Sequence, residues 1–205
     1  MLNLAHFLDV IAVKYPEATA AILDDVKMTW QELADYARRV ANILQAKGVT
    51  PGDKVAMMIP NTPHFPVIYY GILQTGASVV PVNVLYQHTE IEHYLSDSSA
   101  KVFFAFKTFE EEARKAFLAA ESCKDFIVVA APDDLEDPMV GENFTKLAMQ
   151  ADTEFDTVQT MPDDTAVILY TSGTTGMPKG AELTHFNMFF NAYYAANYVT
   201  RCTPT

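Results

Sequence analysis

Apolar residues near the N-terminus recur every three or four positions, the spacing that places side chains on one face of a helix. The residues with this spacing are Leu4, Phe7, Leu8, Ile11 and Ala12. A second helix is predicted from Trp30 to about Lys47, because Thr29 and Glu32 match the T-x-x-E capping box that opens helices. Gly48 follows at the position where a left-handed residue commonly ends a helix.

After Pro51 the pattern changes to uninterrupted apolar runs of strand length, separated by helical patterns. The predicted strands are 54–59, 78–82, 102–106 and 126–131. Each intervening helix has a predicted start. Asn61 or Thr62 is the predicted N-cap of the first, and the capping pairs Thr89–Glu92 and Thr108–Glu111 are predicted to open the next two. Continuous apolar runs indicate strands that are buried on both faces. We therefore predict an α/β fold, a parallel sheet covered by helices on both faces.

Composition narrows the classes of protein that fit this pattern. The chain of 205 residues carries 26 acidic and 14 basic residues, a formal net charge of -12, which disfavours binding to nucleic acid. Its two cysteines, Cys123 and Cys202, lie too far apart in sequence for a disulfide framework or a zinc knuckle. The absence of a cationic leader and this cysteine usage indicate a cytoplasmic location.

One uncharged stretch, residues 55–89, is long enough for a membrane helix, which needs about 20 residues. Prolines interrupt it repeatedly, and they would break a helix that faces lipid. These prolines are Pro60, Pro63, Pro66 and Pro81. No transmembrane segment is predicted.

The segment with the clearest chemistry follows the apolar run 167–170 and reads TSGTTGMPKG from Thr171 to Gly180. Its glycines let a ligand approach the backbone, its hydroxyls add donors, and Lys179 adds a positive charge. These features predict a loop that binds a polyphosphate, although Pro178 breaks the Walker pattern. The alternative is a flexible surface loop. A short returning strand, 181–183, and a helix capped by Thr184 place the loop at a hairpin.

Other constellations have simpler interpretations. His88, Glu92 and His93 have a spacing that zinc could use with outside ligands, but a solvated helix start explains them better. His185 is predicted to be a residue of a helical first turn rather than a catalytic base. The aromatic residues between 186 and 194 are predicted to lie in the core rather than in a ligand pocket.

The segment YTSGTTGMPKGAELTH, from Tyr170 to His185, resembles the signature loop of the adenylate-forming superfamily, which includes acyl-CoA synthetases, luciferases and the adenylation domains of peptide synthetases. Segments 29–33, 48–61 and 69–83 resemble the same family in register and in order. The resemblance covers the whole chain. Among the members, the chain is most similar to bacterial long-chain fatty-acid-CoA ligases.

The resemblance implies a two-step reaction in which a fatty acid and ATP give acyl-AMP and pyrophosphate, and CoA then displaces AMP. ATP, Mg²⁺ and CoA are the implied cofactors and co-substrates. The implied phosphate-binding residues are Thr171, Ser172, Gly173, Thr174, Thr175, Gly176 and Lys179. Their role would be electrostatic positioning, with Lys179 neutralising the departing pyrophosphate. No catalytic residue and no metal ligand are assigned within this chain.

Family members are more than twice as long as this chain. Residues 1–205 are therefore expected to be the N-terminal part of an AMP-binding domain, with the phosphate loop at 170–180 and the later subdomains and C-terminal domain lacking. This part alone is expected not to form acyl-AMP. Two alternatives remain: a non-catalytic nucleotide-binding or assembly module that self-associates through an exposed apolar face, and a ligase for aryl or other carboxylates.

Overall fold

A computed structural model describes residues 1–131, 134, 136–171 and 177–200 of the chain. Its strands are β1 (Thr19–Leu23), β2 (Val26–Thr29), β3 (Lys54–Met58), β4 (Ser78–Pro81), β5 (Val102–Phe106), β6 (Asp125–Val129), β7 (Glu142–Asn143), β8 (Thr165–Thr171) and β9 (Lys179–Thr184). Its helices are α1 (Ala5–Lys14), α2 (Trp30–Ala46), α3 (His64–Gln74), α4 (His88–Ser98), α5 (Glu110–Ala119), α6 (Phe144–Gln150) and α7 (His185–Tyr194). A 3-10 turn, Lys107–Phe109, precedes α5, and a π-helical turn, Ala195–Val199, follows α7.

The central sheet has seven strands in the order β7-β6-β5-β3-β4-β8-β9. Neighbouring strands are parallel from β7 to β8, and only the last pair, β8 with β9, is antiparallel. β1 and β2 form a separate antiparallel hairpin. The predicted strands are therefore confirmed as members of one mostly parallel sheet, whereas the sequence patterns did not reveal β1, β2 and β7.

Each central strand contributes to two hydrophobic cores, one on each face of the sheet. In β3, Val55 and Met57 join the core formed with α1, α2, α3 and α6, while Ala56 and Met58 join the core formed with α4 and α5. All four side chains are buried. Side chains along a strand point alternately to opposite faces, so a continuous apolar run fills both cores. The predicted α/β fold with helices on both faces is confirmed.

The helix starts show which caps the sequence identified correctly. At α2 the prediction is confirmed, because the Thr29 hydroxyl accepts a hydrogen bond from the Glu32 backbone N–H and the Glu32 carboxylate accepts one from the Thr29 N–H. At α3 the predicted cap is wrong. Pro63 precedes the helix, and no side chain caps it. The backbone N–H of Phe65 donates to the carbonyl oxygen of Thr62, at 2.9 Å, and Pro66 has no N–H, so two of the first-turn positions need no side-chain acceptor.

The predicted start of α4 at Thr89 is also wrong, because Gln87 and Glu90 form the capping box. The neighbouring helix α5 also contacts this start. Glu112 of α5 accepts hydrogen bonds from the backbone N–H of His88, at 2.9 Å, and contacts its ring Nδ1 at 2.8 Å. The predicted cap of α5 at Thr108 is wrong too, since Thr108 lies in the 3-10 turn before the helix.

The aromatic residues of α7 do not all lie in the core, which corrects the sequence prediction. Phe189 stacks on Phe7 of α1, with ring centroids 5.4 Å apart. The other aromatic side chains of the helix are 47–53% exposed: Phe186, Phe190, Tyr193 and Tyr194. The helical period places them on the faces of α7 that point away from the sheet. In the described part of the chain, no helix is both long enough and apolar enough to cross a membrane.

The contrast between Thr29 and Thr89 gives a test of the helix starts. Thr29→Ala should lower the free energy of unfolding by about 1 kcal/mol, because it removes an N-cap acceptor. Thr89→Ala should change it by less than about 0.5 kcal/mol, because Thr89 is an exposed residue inside the first turn. Urea unfolding measures both values, and equal losses for the two variants would contradict the observed start of α4.

Gly71 provides a test of the packing between α2 and α3. A Cβ at this position would lie 2.5 Å from the Cβ of Val40 and 2.7 Å from the carbonyl oxygen of Ala37. Gly71→Ala should therefore lower the free energy of unfolding by about 1–3 kcal/mol, even though alanine is the better helix former. A stabilising effect in urea unfolding would show that the two helices are not in such close contact.

Candidate functional site

The glycine-rich segment lies where the parallel strands end. β8 runs parallel to β4, with Val167 opposite Val79, so its last residue, Thr171, is at the carboxyl edge of the sheet. Ligands of open α/β sheets commonly bind at this edge. β9 returns antiparallel to β8, and Lys179 pairs with Thr171. The predicted position of the phosphate loop at a hairpin is confirmed.

The structure places two of the predicted phosphate-binding residues directly opposite each other. Thr171 ends β8 and Lys179 begins β9, and both are exposed. Directly opposed residues of antiparallel strands have Cα atoms about 4.5–5.5 Å apart, so the backbones of Thr171 and Lys179 lie side by side where the two strands leave the loop. The other predicted residues, Ser172, Gly173, Thr174, Thr175 and Gly176, lie outside the described residues.

The charge of Lys179 is not used by the ion pairs that form within the described part of the chain. Five other lysines have a carboxylate partner: Lys47, Lys101, Lys107, Lys115 and Lys146. Lys101 lies 2.6 Å from Asp53, and Lys107 lies 2.6 Å from Asp134. In a chain with a net charge of -12, an exposed ammonium without a carboxylate partner among the described residues leaves a local positive charge at the hairpin tip. This charge is available to an anionic ligand.

Tyr170 and Gly180 form the next pair of the hairpin, and the glycine is required for space. A Cβ at position 180 would lie 2.8 Å from Cγ2 of Ile168 and 3.2 Å from the ring of Tyr170. The Tyr170 ring stacks on Tyr94 of α4, with centroids 4.0 Å apart and an interplanar angle of 27°. Its hydroxyl donates a hydrogen bond to Oδ2 of Asp97, at 2.6 Å. Burial and the Asp97 carboxylate raise the pKa of Tyr170.

α4 also contacts the other end of the loop. Nε2 of His93 donates a hydrogen bond to the carbonyl oxygen of Pro178, at 2.9 Å. Since a carbonyl only accepts, Nε2 carries the proton. His93 is thus hydrogen-bonded to the loop, and the ring of His88 contacts the carboxylate of Glu112. Within the ranges that the structure describes, no three His, Cys, Asp or Glu side chains converge on a point where a metal could bind.

His185 is the first residue of α7, so its predicted place in a helical first turn is confirmed. The side chain is fully buried, and its Nδ1 accepts a hydrogen bond from the backbone N–H of Leu4, at 3.2 Å. Burial lowers the pKa of the imidazole. In the part of the chain that is described, its Nε2 has no hydrogen-bond partner. The contact with Leu4 attaches the N-terminus to the strand–helix junction after the loop.

The sequence did not identify Tyr94 and Asp97 as site residues. They lie 76 and 73 positions before Tyr170, and neither belongs to a recognisable motif. His93 was noted only for its spacing to His88. Aromatic and acidic residues on a helix are common on ordinary surfaces, so no local signal distinguished these side chains.

The chain resembles several CoA ligases in sequence. The long-chain-fatty-acid–CoA ligase of Bacillus subtilis (strain 168) is 31% identical over 208 residues, covering 90% of this chain and 37% of the relative. A crotonobetaine/carnitine–CoA ligase of Salmonella arizonae is 30% identical over 199 residues, covering 95% of this chain and 38% of the relative. The chain thus spans less than two fifths of the length of these curated relatives.

The fold has close counterparts among solved structures. The crystal structure of a benzoate CoA ligase from Burkholderia xenovorans LB400 matches with a TM-score of 0.85 and 27% identity, covering 99% of this chain and 38% of that one. Residues 8–204 match the model of a family described as AMP-binding enzyme. This range includes the glycine-rich hairpin and nearly all of the residues of the two hydrophobic cores. The chain therefore belongs to the family of AMP-binding enzymes.

Proposed function

We propose that the segment 170–180, the phosphate loop, binds the β- and γ-phosphates of ATP. The proposed ligands are Thr171, Ser172, Gly173, Thr174, Thr175, Gly176 and Lys179. The observation that carries the proposal is the pairing of exposed Lys179 with Thr171 at the carboxyl edge of the sheet. An ammonium beside hydroxyl and amide donors suits a polyphosphate, and it stabilises the charge that grows on pyrophosphate as it departs.

The complete protein is proposed to be an acid–thiol ligase. A carboxylate oxygen attacks the α-phosphorus of ATP, the bond from that phosphorus to the bridging oxygen breaks, and pyrophosphate leaves. The thiol of CoA then attacks the acyl carbon of acyl-AMP and releases AMP, its proton passing to solvent. The phosphate loop would contribute to the first step by holding the leaving group, without covalent chemistry.

The other proposed participants are Mg²⁺ and CoA. Mg²⁺ binds oxygen ligands and commonly enters a site with the phosphates of a nucleotide. Mg²⁺ is proposed to arrive with ATP, without residues of this chain assigned to it. CoA is proposed as the second-step substrate, without residues assigned to it.

A long-chain fatty acid is the proposed acid. The similarity to the Bacillus subtilis ligase supports this choice, while the similarity to a crotonobetaine/carnitine–CoA ligase and to a benzoate CoA ligase supports the other carboxylates as alternatives.

A cytoplasmic location is also proposed. It is supported by the cysteine usage, since Cys123 and Cys202 are too far apart in sequence to build a disulfide framework. Self-association through an exposed apolar face stays a prediction.

Replacing Lys179 tests the phosphate role. In the complete protein, Lys179→Ala should lower the rate of ATP–pyrophosphate exchange by about 10- to 100-fold, since it removes a charge-assisted contact of about 1.5–3 kcal/mol. Lys146→Ala is the matched control. Lys146 carries the same charge on α6, beside β7 at the opposite edge of the sheet from the hairpin, and should leave the rate within about twofold. An unchanged rate for Lys179→Ala would refute the phosphate role.

The class of acid is tested by comparing kcat/KM of the complete protein for palmitate, octanoate, benzoate, oxalate and crotonobetaine. Palmitate should give the highest value. A difference of one methylene in an apolar pocket is worth about 1–3 kcal/mol, so a long acyl chain accumulates a large preference. The highest kcat/KM with benzoate or oxalate would assign the protein to the ligases of those acids.

A further inference from the structure

The tip of the hairpin extends beyond the parallel sheet. Within the described residues, β8 pairs with β4 only at Val167, and from Ile168 to Thr171 it pairs with β9 alone. Leu169 is 41% exposed. An isolated two-stranded ribbon is marginally stable in water, so hydrogen bonds between β8 and β9 do not by themselves fix where the ribbon points. Contacts from outside the ribbon must hold the phosphate loop in place.

α4 supplies such contacts on the N-terminal side of the loop. The ring of Tyr170 lies on Tyr94, 4.0 Å between centroids, and the Tyr170 hydroxyl donates to Asp97 at 2.6 Å. The stack fixes the plane of the ring, and the hydrogen bond fixes its rotation within that plane. Tyr170 directly precedes Thr171, the first of the proposed phosphate ligands.

The same helix holds the C-terminal side of the loop. His93 donates from Nε2 to the carbonyl oxygen of Pro178, and its ring also meets the ring of Tyr170 edge to face, 6.0 Å between centroids. Pro178 directly precedes Lys179. His93 and Asp97 are four residues apart and therefore share one face of α4. One helix face thus contacts both residues that border the central part of the loop.

α4 is itself firmly held. Tyr94 is 3% exposed, and its hydroxyl donates to the Tyr86 hydroxyl at 3.2 Å. Ile91 and Leu95 are fully buried in the core beneath the helix, and Glu112 of α5 binds its first turn. The face that carries His93 and Asp97 is therefore a fixed frame rather than a mobile surface.

We infer that α4 positions the phosphate loop, with His93, Tyr94 and Asp97 as positioning residues that hold its two ends. The inference rests on the proposed function of the loop. Binding a ligand to a loop whose ends are already fixed costs less ordering entropy than binding to a loop with free ends. The three side chains act through Tyr170 and Pro178 and are not themselves proposed to touch ATP.

Substitutions of His93 in the complete protein test this inference. His93→Ala should raise KM for ATP about three- to tenfold in ATP–pyrophosphate exchange, the effect of one lost hydrogen bond, and leave KM for the acid unchanged. His93→Gln places an N–H near the position of Nε2 and should restore the wild-type KM for ATP, whereas His93→Asn places it near Nδ1 and should not. Equal KM values for the glutamine and asparagine variants would overturn the role of His93.

A double-mutant cycle tests the other end of the loop. Tyr170→Phe keeps the ring stack and removes the donor, and Asp97→Ala removes the acceptor. If both act through the one hydrogen bond, the double variant should have the same KM for ATP as either single variant. Additive increases would overturn the role of Asp97. Ser96→Ala, an exposed position on the same helix, is the matched control and should leave KM for ATP unchanged.

Comparison with Lys179→Ala separates the two proposals. If Lys179→Ala lowers the exchange rate while the His93 and Asp97 variants keep the wild-type KM for ATP, the loop binds phosphate without help from α4 and this inference fails alone. If Lys179→Ala also has no effect, the proposed function fails. Thermal unfolding of each variant completes the test, because loss of stability without a change in KM for ATP shows a purely structural role and refutes positioning.

Discussion

The burial of apolar side chains on both faces of β3, β4, β5 and β6 is the constraint on which the rest of the structure depends. Strands buried on both faces are covered by helices above and below, and parallel neighbours need crossover connections to return the chain to the same end of the sheet. α3 and α4 make such crossovers, with α3 packed in one core and α4 in the other. As a result the carboxyl ends of the strands, including β8, meet at one edge.

The candidate site is built at the margin of this core. β8 begins as a strand of the sheet, with Ala166 and Val167 buried, and ends as one arm of an exposed ribbon. The base of the loop is therefore attached to a strand of the sheet. Such placement of binding residues on loops over a rigid scaffold is common in proteins. Contacts from α4 replace the strand pairing that the tip lacks.

The electrostatics of the site are local. The net charge of the chain repels phosphate groups over most of the surface, so an anion must be bound by fields close to its own position. Lys47, Lys101 and Lys107 are paired with carboxylates on other elements. Lys179 stands apart from the ion pairs of the described chain, next to a hydroxyl and to a loop rich in glycine. That combination is the local chemistry on which the proposed phosphate role rests.

The sequence by itself determined the features that depend on neighbouring residues. Apolar runs predicted the central strands, the Thr29–Glu32 pair predicted the start of α2, and the short strand after Gly180 predicted a hairpin, because strand burial, capping and turns act over a few residues. Only the tertiary structure revealed the contact of Glu112 of α5 with the start of α4, and the contacts of His93 with Pro178 and of Asp97 with Tyr170. These contacts join residues 73 to 85 positions apart for the loop and 24 apart for the helix start. Their energies depend on distances in space that no short pattern encodes.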